Sequence, residues 1–212
     1  MTPPDASTGR LIALEGVDGC GKSTQARRLA GRLEAVFTFE PGATELGRAL
    51  RALVLHSPEH AAPVVRAEAL LLAADRAQHV AEVVAPALAA GRWVVTDRYS
   101  GSTLAYQGEG RGLGVAELRP LVAWAAGDLW PDLSVLVDVP LEEARRRQSA
   151  TGRDRLERLD TGFFERVRLG FLAQADADPD RWVVVDGMGT VEEVGARIDD
   201  EVRRRLGWPG GR

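Results

Sequence analysis

The sequence of 212 residues contains almost no lysine and no asparagine. Lys22 is the only lysine, so all the remaining members of the 27 basic side chains are arginines. An arginine-rich segment is therefore weak evidence of a special function in this chain. The one position that keeps a lysine is, in contrast, expected to need an ammonium group. The absence of asparagine also excludes every motif that depends on that residue.

Cysteine and long apolar runs are scarce as well. Cys20 is the only cysteine, which excludes an intramolecular disulfide and fits a reducing compartment. The first ten residues contain no apolar run, so we do not expect a secretion signal. The longest apolar candidate, residues 67–74, is interrupted by Glu68 and is shorter than the roughly 18 residues that a membrane span needs. These features predict a cytoplasmic protein that does not act at a membrane.

The charge and length limit the class of protein further. A net charge of −4 disfavours a dedicated nucleic-acid-binding protein, which usually carries a basic surplus. The hydrophobic content of 45% and the charged content of 27% are ordinary for a globular protein with a buried core. We predict one α/β domain over residues 10–207, between a disordered tail at 1–9 and a frayed tail at 208–212.

Short apolar runs alternate with helical patterns along the chain. Buried strands are predicted at residues 11–14, 36–39, 93–96, 133–137 and 182–185. A long helix is predicted over residues 64–89, bent near Pro86, and another over 115–126. This alternation predicts a five-stranded parallel sheet with helices on both faces. The polar stretch at about 147–160 has no strand pattern and is predicted to form a short mobile lid.

The first predicted strand leads into a glycine-rich motif. Residues 16–23, GVDGCGKS, match G-x-x-x-x-G-K-[ST] at every fixed position, and a helical pattern follows. In such a loop, backbone amides surround a phosphate and the helix N-terminus adds partial positive charge. Lys22 is predicted to bridge the β- and γ-phosphates of ATP, and the Ser23 hydroxyl to bind Mg²⁺. The predicted ATP-binding set is Gly16, Val17, Asp18, Gly19, Cys20, Gly21, Lys22, Ser23, Thr24 and Arg147.

A phosphate-binding loop occurs in switch GTPases, ATPase motors and small-molecule kinases. The GTPases need an Asn-Lys-x-Asp guanine-binding motif, which a chain without asparagine cannot form. Motors are usually larger than this chain. Together these points favour a compact kinase with a P-loop kinase fold.

The third predicted strand ends in a second polar group. Asp97 and Arg98 follow it, where a parallel sheet places its ligands. Asp97 is predicted to orient the magnesium shell, and Arg98 to bind an acceptor phosphate through two parallel hydrogen bonds. Taken alone, the pair can also be a structural ion pair at a strand end.

Residues 97–107, DRYSGSTLAYQ, resemble the signature of thymidylate kinases, D-R-[YFH]-x-x-S-[ST]-x-A-[YF]-Q. The resemblance extends over about residues 10–195. It includes EGVDG at 15–19, EPG at 40–42, LR at 50–51, ADR at 74–76, DRLE at 154–157 and FFERVR at 163–168. It implies phosphoryl transfer from ATP to dTMP with Mg²⁺ and no covalent enzyme intermediate, in a homodimeric protein. The apolar face of the helix at 64–89 can serve the dimer or the chain's own core.

The resemblance also implies roles for individual residues. Arg51 and Arg98 hold the acceptor phosphate, and Asp18 accepts from the 3′-hydroxyl. Arg76 donates to a thymine carbonyl, Thr103 and Gln107 meet the polar edge of the base, and Tyr106 packs on the sugar. Without the resemblance, the two helical arginines can be solvated and Tyr106 can be a core aromatic. The implied substrate-binding set is Asp18, Pro41, Arg51, Leu72, Arg76, Arg98, Ser102, Thr103, Tyr106 and Gln107.

Gly19 distinguishes this chain from one subgroup of the family and concerns the lid. Leu72 and Phe39 depart from the family pattern and concern the base. One subgroup of the family has an arginine where this chain has Gly19, so the lid arginines Arg153 and Arg155 are predicted to meet the charge on the transferred phosphoryl group, with Arg147 behind them. Alternatively, these arginines are solvated charges on the lid without a catalytic role. The family's phenylalanine that stacks on thymine is replaced by Leu72, and Phe39 stands where many relatives have arginine. A nucleoside or another deoxynucleotide as acceptor, or an ATP-binding regulatory role without turnover, therefore stays open.

Overall fold

The computed structural model describes residues 9–148, 155 and 159–208. Its five strands are β1 Leu11–Glu15, β2 Val36–Phe39, β3 Val94–Asp97, β4 Leu133–Asp138 and β5 Trp182–Asp186. They form one parallel sheet in the order β2-β3-β1-β4-β5. The predicted five-stranded parallel sheet is confirmed, and the strand ends differ from the predicted ones by one residue at most.

Helices fill the connections between the strands. The α-helices are α1 Lys22–Leu33, α2 Glu45–Leu55, α3 Val65–His79, α4 Ala85–Ala89, α5 Ser100–Thr103, α6 Val115–Ala126, α7 Leu141–Arg147, α8 Thr161–Ala177 and α9 Val191–Leu206. Two π-helical segments, Val80–Val84 and Leu104–Gly110, follow α3 and α5 directly. The irregularity in the predicted long helix is therefore a π-helical segment one turn before Pro86. No helix within the described part of the chain is long and apolar enough to span a bilayer.

Alternate residues of β1 face opposite sides of the sheet, as the pleat requires. Ile12 and Leu14 belong to the larger core, which also contains Phe171 of α8 and Ile198 of α9. Leu11 and Ala13 belong to a second core with Val84, Val94 and Ala126. Since both faces of β1 are covered, the continuous apolar run at residues 11–14 is explained by burial on both sides.

The C-terminal boundary differs from the predicted one. Trp208 is buried in the larger core, and the guanidinium groups of Arg32 and Arg203 lie 5.6 and 5.3 Å from its ring centroid. The domain therefore includes Trp208, which the sequence analysis assigned to a frayed tail. Of the predicted N-terminal tail at residues 1–9, only residue 9 is described, and the last four residues and most of the predicted lid also lie outside the described residues.

A buried carboxylate ties the end of β1 to the segment after β3. Glu15 is fully buried, and its Oε1 accepts from the backbone amides of Tyr99 at 3.0 Å and Ser102 at 3.2 Å. Its Oε2 lies 2.5 Å from the Ser102 hydroxyl. Burial raises the pKa of Glu15 to about 7, although the Ser102 hydrogen bond and the charge of Arg98 act in the opposite direction.

The raised pKa of Glu15 predicts a pH-dependent stability. Its pKa in the unfolded chain is near 4.5, so the folded protein binds the extra proton and stability falls as the pH rises from about 4.5 through 7. Over that range the wild type should lose up to about 3 kcal/mol of unfolding free energy relative to Glu15→Gln, which mimics the protonated form. Urea unfolding at a series of pH values measures this difference. Glu165→Gln, at an exposed position of α8, is the control, and an equal slope in wild type and Glu15→Gln would contradict the prediction.

Candidate active site

The glycine-rich motif forms the connection between β1 and α1. Gly16, Gly19 and Gly21 have φ values of 142°, 86° and 94°, which side-chain-bearing residues rarely adopt. A Cβ at position 19 would also lie 2.1 Å from the carbonyl oxygen of Ala144. An arginine at position 19 is therefore incompatible with this packing of the loop against α7.

Lys22 is the first residue of α1 and lies inside the loop rather than on the surface. Its side chain is 5% exposed. Its Nζ donates to the carbonyl oxygen of Val17 and to Asp18 Oδ1, both at 3.3 Å. The chain's one ammonium group is thus enclosed by the loop that the motif predicted.

A cavity, here called the Lys22 cavity, opens over this loop. It is lined by Gly19, Cys20, Gly21, Lys22, Ser23, Thr24, Gln25, Arg147, Gly187, Gly189, Thr190, Val191 and Val194. Arg147 reaches it from α7, where Nε donates to Glu143 at 2.5 Å and Nη1 to the Gly187 carbonyl at 2.9 Å. The sequence analysis identified the loop and Arg147, but it missed the wall formed by the residues after β5.

Cys20 is buried in the loop and belongs to the larger core. Burial raises the pKa of its thiol, although Lys22 acts against this shift. The geometry supports a small packing residue rather than a reactive thiolate.

Asp97 is the last residue of β3 and pairs in register with Leu14 of β1. Its Oδ1 is buried and has no hydrogen-bond partner within the described part of the chain. A buried carboxylate oxygen without a donor is costly unless a cation or a water contacts it. No group of three or more His, Cys, Asp or Glu side chains that could hold a metal occurs among the described residues. The buried Oδ1 of Asp97 is an oxygen ligand that would fit a Mg²⁺ ion whose other ligands are mostly phosphate and water.

A second cavity, here called the Arg98 cavity, lies beside the loop. All ten residues of the implied substrate-binding set line it. The remaining lining residues are Glu40, Leu55, Asp75 and Tyr99. Phe39 is not among them and stacks on Phe37, with ring centroids 6.4 Å apart. Phe39 therefore does not replace the aromatic ring that Leu72 lacks.

Arg98 links the Arg98 cavity to Asp18 of the phosphate loop. It has a left-handed backbone, with φ 72°, and its Nη2 forms an ion pair with Asp18 Oδ1. Its guanidinium lies 4.9 Å from the centroid of the Tyr106 ring, and the Tyr106 hydroxyl donates to Asp18 Oδ2 at 2.8 Å. Burial alone would raise the pKa of Asp18, but Arg98 and Lys22 outweigh it and hold that pKa well below its usual range.

Arg76 is 2% exposed at the far wall of the Arg98 cavity. Its Nε and Nη2 donate to Glu40 Oε2 at 3.0 and 2.7 Å, and Nη2 also donates to Thr103 Oγ1 at 3.0 Å. Glu40 Oε1 lies 2.9 Å from Nδ1 of His79. Burial opposes ionisation of Glu40, but Arg76 and His79 outweigh it and lower its pKa. The buried acid therefore holds Arg76 in place.

Arg51 and Asp75 complete the polar wall near β2. The Arg51 guanidinium donates to the Pro41 carbonyl at 2.9 Å. Asp75 Oδ1 accepts from the amide of Gly42 at 3.0 Å. Burial, together with the negative charge of Glu40, raises the pKa of Asp75 to about 6.

Of the two lid arginines predicted to act on the phosphoryl group, only Arg155 is among the described residues. Arg155 forms an ion pair with Glu68 and donates from Nε to the Val54 carbonyl at 3.0 Å. The structure thus brings it to the end of α2, where its amide also donates to the Leu55 carbonyl, rather than to the phosphate loop. Arg153 lies outside the described residues.

Sequence reasoning missed the acidic residues that organise these cavities. Glu15 and Glu40 stand within two of the motifs, EGVDG and EPG, but the resemblance gave neither a role. Glu68 lies in an apolar run, where a lone acid is a usable signal because burying it requires partners. Those partners are distant in sequence, so the spacing could not name them.

Comparison with known proteins agrees with this geometry. Residues 14–198 match the family model described as thymidylate kinase. The chain is 51% identical over 200 residues to a thymidylate kinase of Cereibacter sphaeroides, covering 89% of this chain and 92% of that protein. It is 52% identical over 198 residues to one of Clavibacter michiganensis, covering 90% and 93%.

A solved structure shows the same fold. The crystal structure of thymidylate kinase from Ehrlichia chaffeensis superposes with a TM-score of 0.74 at 28% identity, covering 92% of this chain and 99% of that one. Fold, family model and full-length relatives thus agree. This chain belongs to the thymidylate kinase family.

Proposed function

We propose that this protein transfers the γ-phosphoryl group of ATP to dTMP, producing ADP and dTDP for dTTP synthesis. One observation carries the proposal: Asp18 of the phosphate loop also lines the Arg98 cavity, where it contacts both Lys22 and Arg98. The proposed donor and acceptor cavities therefore adjoin at Asp18, which contacts one side chain of each, as in-line transfer between two bound nucleotides requires.

The donor nucleotide is proposed to bind in the Lys22 cavity. The amides of residues 16–24 surround its phosphates, and Lys22 contacts the β- and γ-phosphates. Arg147 and the wall after β5 border the rest of the nucleotide. Ser23 and Asp97 would hold Mg²⁺, which neutralises charge on the phosphates when it is bound.

The acceptor nucleotide is proposed to bind in the Arg98 cavity. Arg51 and Arg98 neutralise its phosphate, which lets it approach ATP. Asp18 accepts from the 3′-hydroxyl, and its lowered pKa keeps it an acceptor at neutral pH. Tyr106 packs against the sugar and excludes a 2′-hydroxyl. Pro41, Leu72 and Ser102 border the nucleotide, while Arg76, Thr103 and Gln107 face its base.

Two alternatives to dTMP phosphorylation predict different results when substrates are assayed. A kinase of the same fold with another acceptor is suggested by Leu72, which gives the base no ring to stack on. A regulatory ATP-binding protein would bind ATP without turnover. The enclosed Lys22 and the Asp97 Oδ1, which has no partner among the residues that the structure describes, favour a catalytic site over the second function.

A coupled ADP-release assay with ATP and Mg²⁺ across dTMP, dUMP, dCMP, dGMP and thymidine tests the proposal. We expect the highest kcat/KM with dTMP. Lys22→Met should lower kcat by at least about 10³-fold because the phosphates lose their main cation. Arg27→Met, at an exposed position of the same helix, is the matched control and should keep near-normal activity. A clear preference for another acceptor, or ATP binding without ADP release, would refute the proposal.

We further propose that Arg153 supplies positive charge to the transferred phosphoryl group, and that Arg155 joins it once the ion pair between Arg155 and Glu68 is broken. The packing of Gly19 against Ala144 supports this, since it leaves no space for an arginine within the loop. Arg153→Ala and Arg155→Ala should each lower kcat much more than they raise KM for dTMP. Steady-state kinetics with both substrates measure this. A change confined to KM would show that the arginine concerned serves binding alone.

We also propose that the protein is a homodimer, as the family resemblance implies. Leu46 and Leu53 of α2 and Leu70 of α3 are about half exposed, at 49%, 51% and 58%, so the apolar face of α2 is only partly used by the chain's own core. Light scattering should give twice the molar mass of one chain. Leu70→Glu should shift it toward the monomer, whereas Leu169→Glu, exposed on α8, should not. A monomeric wild type would refute this assembly.

A further inference from the structure

Glu68 of α3 is a fully buried carboxylate that the proposed chemistry does not use. Its Oε1 accepts from Gln107 Nε2 at 2.9 Å and from Arg111 Nε at 3.3 Å. Its Oε2 accepts from Arg111 Nη2 at 3.0 Å and pairs with Arg155. Of these partners, only Gln107 lines the Arg98 cavity.

The contact with Glu68 fixes which way the Gln107 amide points. A side-chain amide has one donor end and one acceptor end, and its orientation follows from its hydrogen-bond partners. A carboxylate only accepts, so it holds the NH₂ end of Gln107. Gln107 is 1% exposed and lines the cavity, so with its NH₂ end held by Glu68 its Oε1 is the end left to a bound ligand. Gln107 therefore presents an acceptor to the cavity.

Arg76 is the hydrogen-bond donor that complements the Gln107 acceptor. Its Nε and Nη2 are engaged by Glu40 and Thr103. Its Nη1 is buried without a hydrogen-bond partner in the described part of the chain. Arg76 and Gln107 both line the cavity, Arg76 with a guanidinium that can only donate and Gln107 with one acceptor, and each is held by a buried acid.

This pair matches one class of pyrimidine edge. Thymine and uracil carry an acceptor at O4 and a donor at N3–H, whereas cytosine carries a donor at its 4-amino group and an acceptor at N3. Cytosine would place donor against donor and acceptor against acceptor, leaving buried polar groups unpaired. Such mismatches discriminate strongly between substrates.

We infer that Glu68 is a positioning residue for substrate specificity. By holding the Gln107 amide with its oxygen toward the cavity, it selects bases with an N3–H and rejects cytosine. The inference rests on the proposed function, since it concerns the acceptor of that reaction. It also explains how a base can be selected beside Leu72, which provides no aromatic face, because the hydrogen-bonding edge then carries the discrimination.

The test compares Glu68→Gln with wild type on three acceptors. A carboxamide at position 68 can donate to Gln107 as well as accept from it, so the Gln107 amide is free to rotate and offer its NH₂ to cytosine N3. We expect kcat/KM for dCMP relative to dTMP to rise by roughly tenfold or more. The ratio for dUMP relative to dTMP should not change, since the two bases share the same polar edge.

Two controls separate this role from a general loosening of the site. Arg111→Gln removes another partner of Glu68 but keeps the Gln107 contact, so the dCMP ratio should stay at the wild-type value. In a Gln107→Leu background, Glu68→Gln should have no further effect on that ratio, because Glu68 acts through the amide.

Each outcome is informative. A wild type that does not phosphorylate dTMP refutes the proposed function itself. An active wild type, with a folded Glu68→Gln variant that still rejects dCMP or that gains dUMP and dCMP activity equally, overturns the inference alone. If Glu68→Gln does not fold, the side-chain amide protons of Gln107 are followed in the wild type by ¹⁵N NMR, assigned against Gln107→Leu. They should exchange slowly with and without dTMP, and fast exchange would overturn the inference.

Discussion

The parallel pairing of β1 and β3 is the constraint on which the rest of the site depends. Leu14 and Asp97 stand opposite each other, and the amide of Arg98 donates to the Leu14 carbonyl at 3.0 Å. The phosphate loop and the Asp97–Arg98 pair therefore leave the sheet side by side. Glu15 then holds the segment after β3 through two backbone amides. The cleft follows from strand register rather than from any single side chain.

Arg98, directly after β3, has an unusual left-handed backbone. A left-handed conformation costs a residue with a side chain roughly 1–2 kcal/mol. Here it directs the guanidinium back over Tyr106 and onto Asp18. The ion pair, the cation–π contact and the hydrogen bond to Ser102 at 3.1 Å offset the strain. The strained backbone thus places the Arg98 guanidinium in the Arg98 cavity and against Asp18 of the phosphate loop.

Local pattern and a motif with fixed spacing predicted the sheet and the loop, whereas ten of the fourteen residues that line the Arg98 cavity came from the resemblance to thymidylate kinases. Sequence alone could not predict what Glu15, Glu40 and Glu68 contact, since Glu68 and Gln107 lie 39 residues apart and their meeting depends on helix packing. The wall after β5 was missed for the same reason. Trp208 was assigned to a tail by the Pro-Gly-Gly that follows it, although its ring packs between two arginines.

The single lysine can now be understood from its surroundings. Arginine is the general cation of this chain, yet the space inside the loop is bounded by the Val17 carbonyl and Asp18, each 3.3 Å from Nζ. An ammonium is a compact charge whose donors rotate freely on a slender stem, whereas a guanidinium is a wide plane with fixed directions. Arg98 and Arg51, which face the open Arg98 cavity, have room for that plane. The choice between the two cations is therefore consistent with the shape of each space, since the loop at residues 16–23 encloses the smaller one.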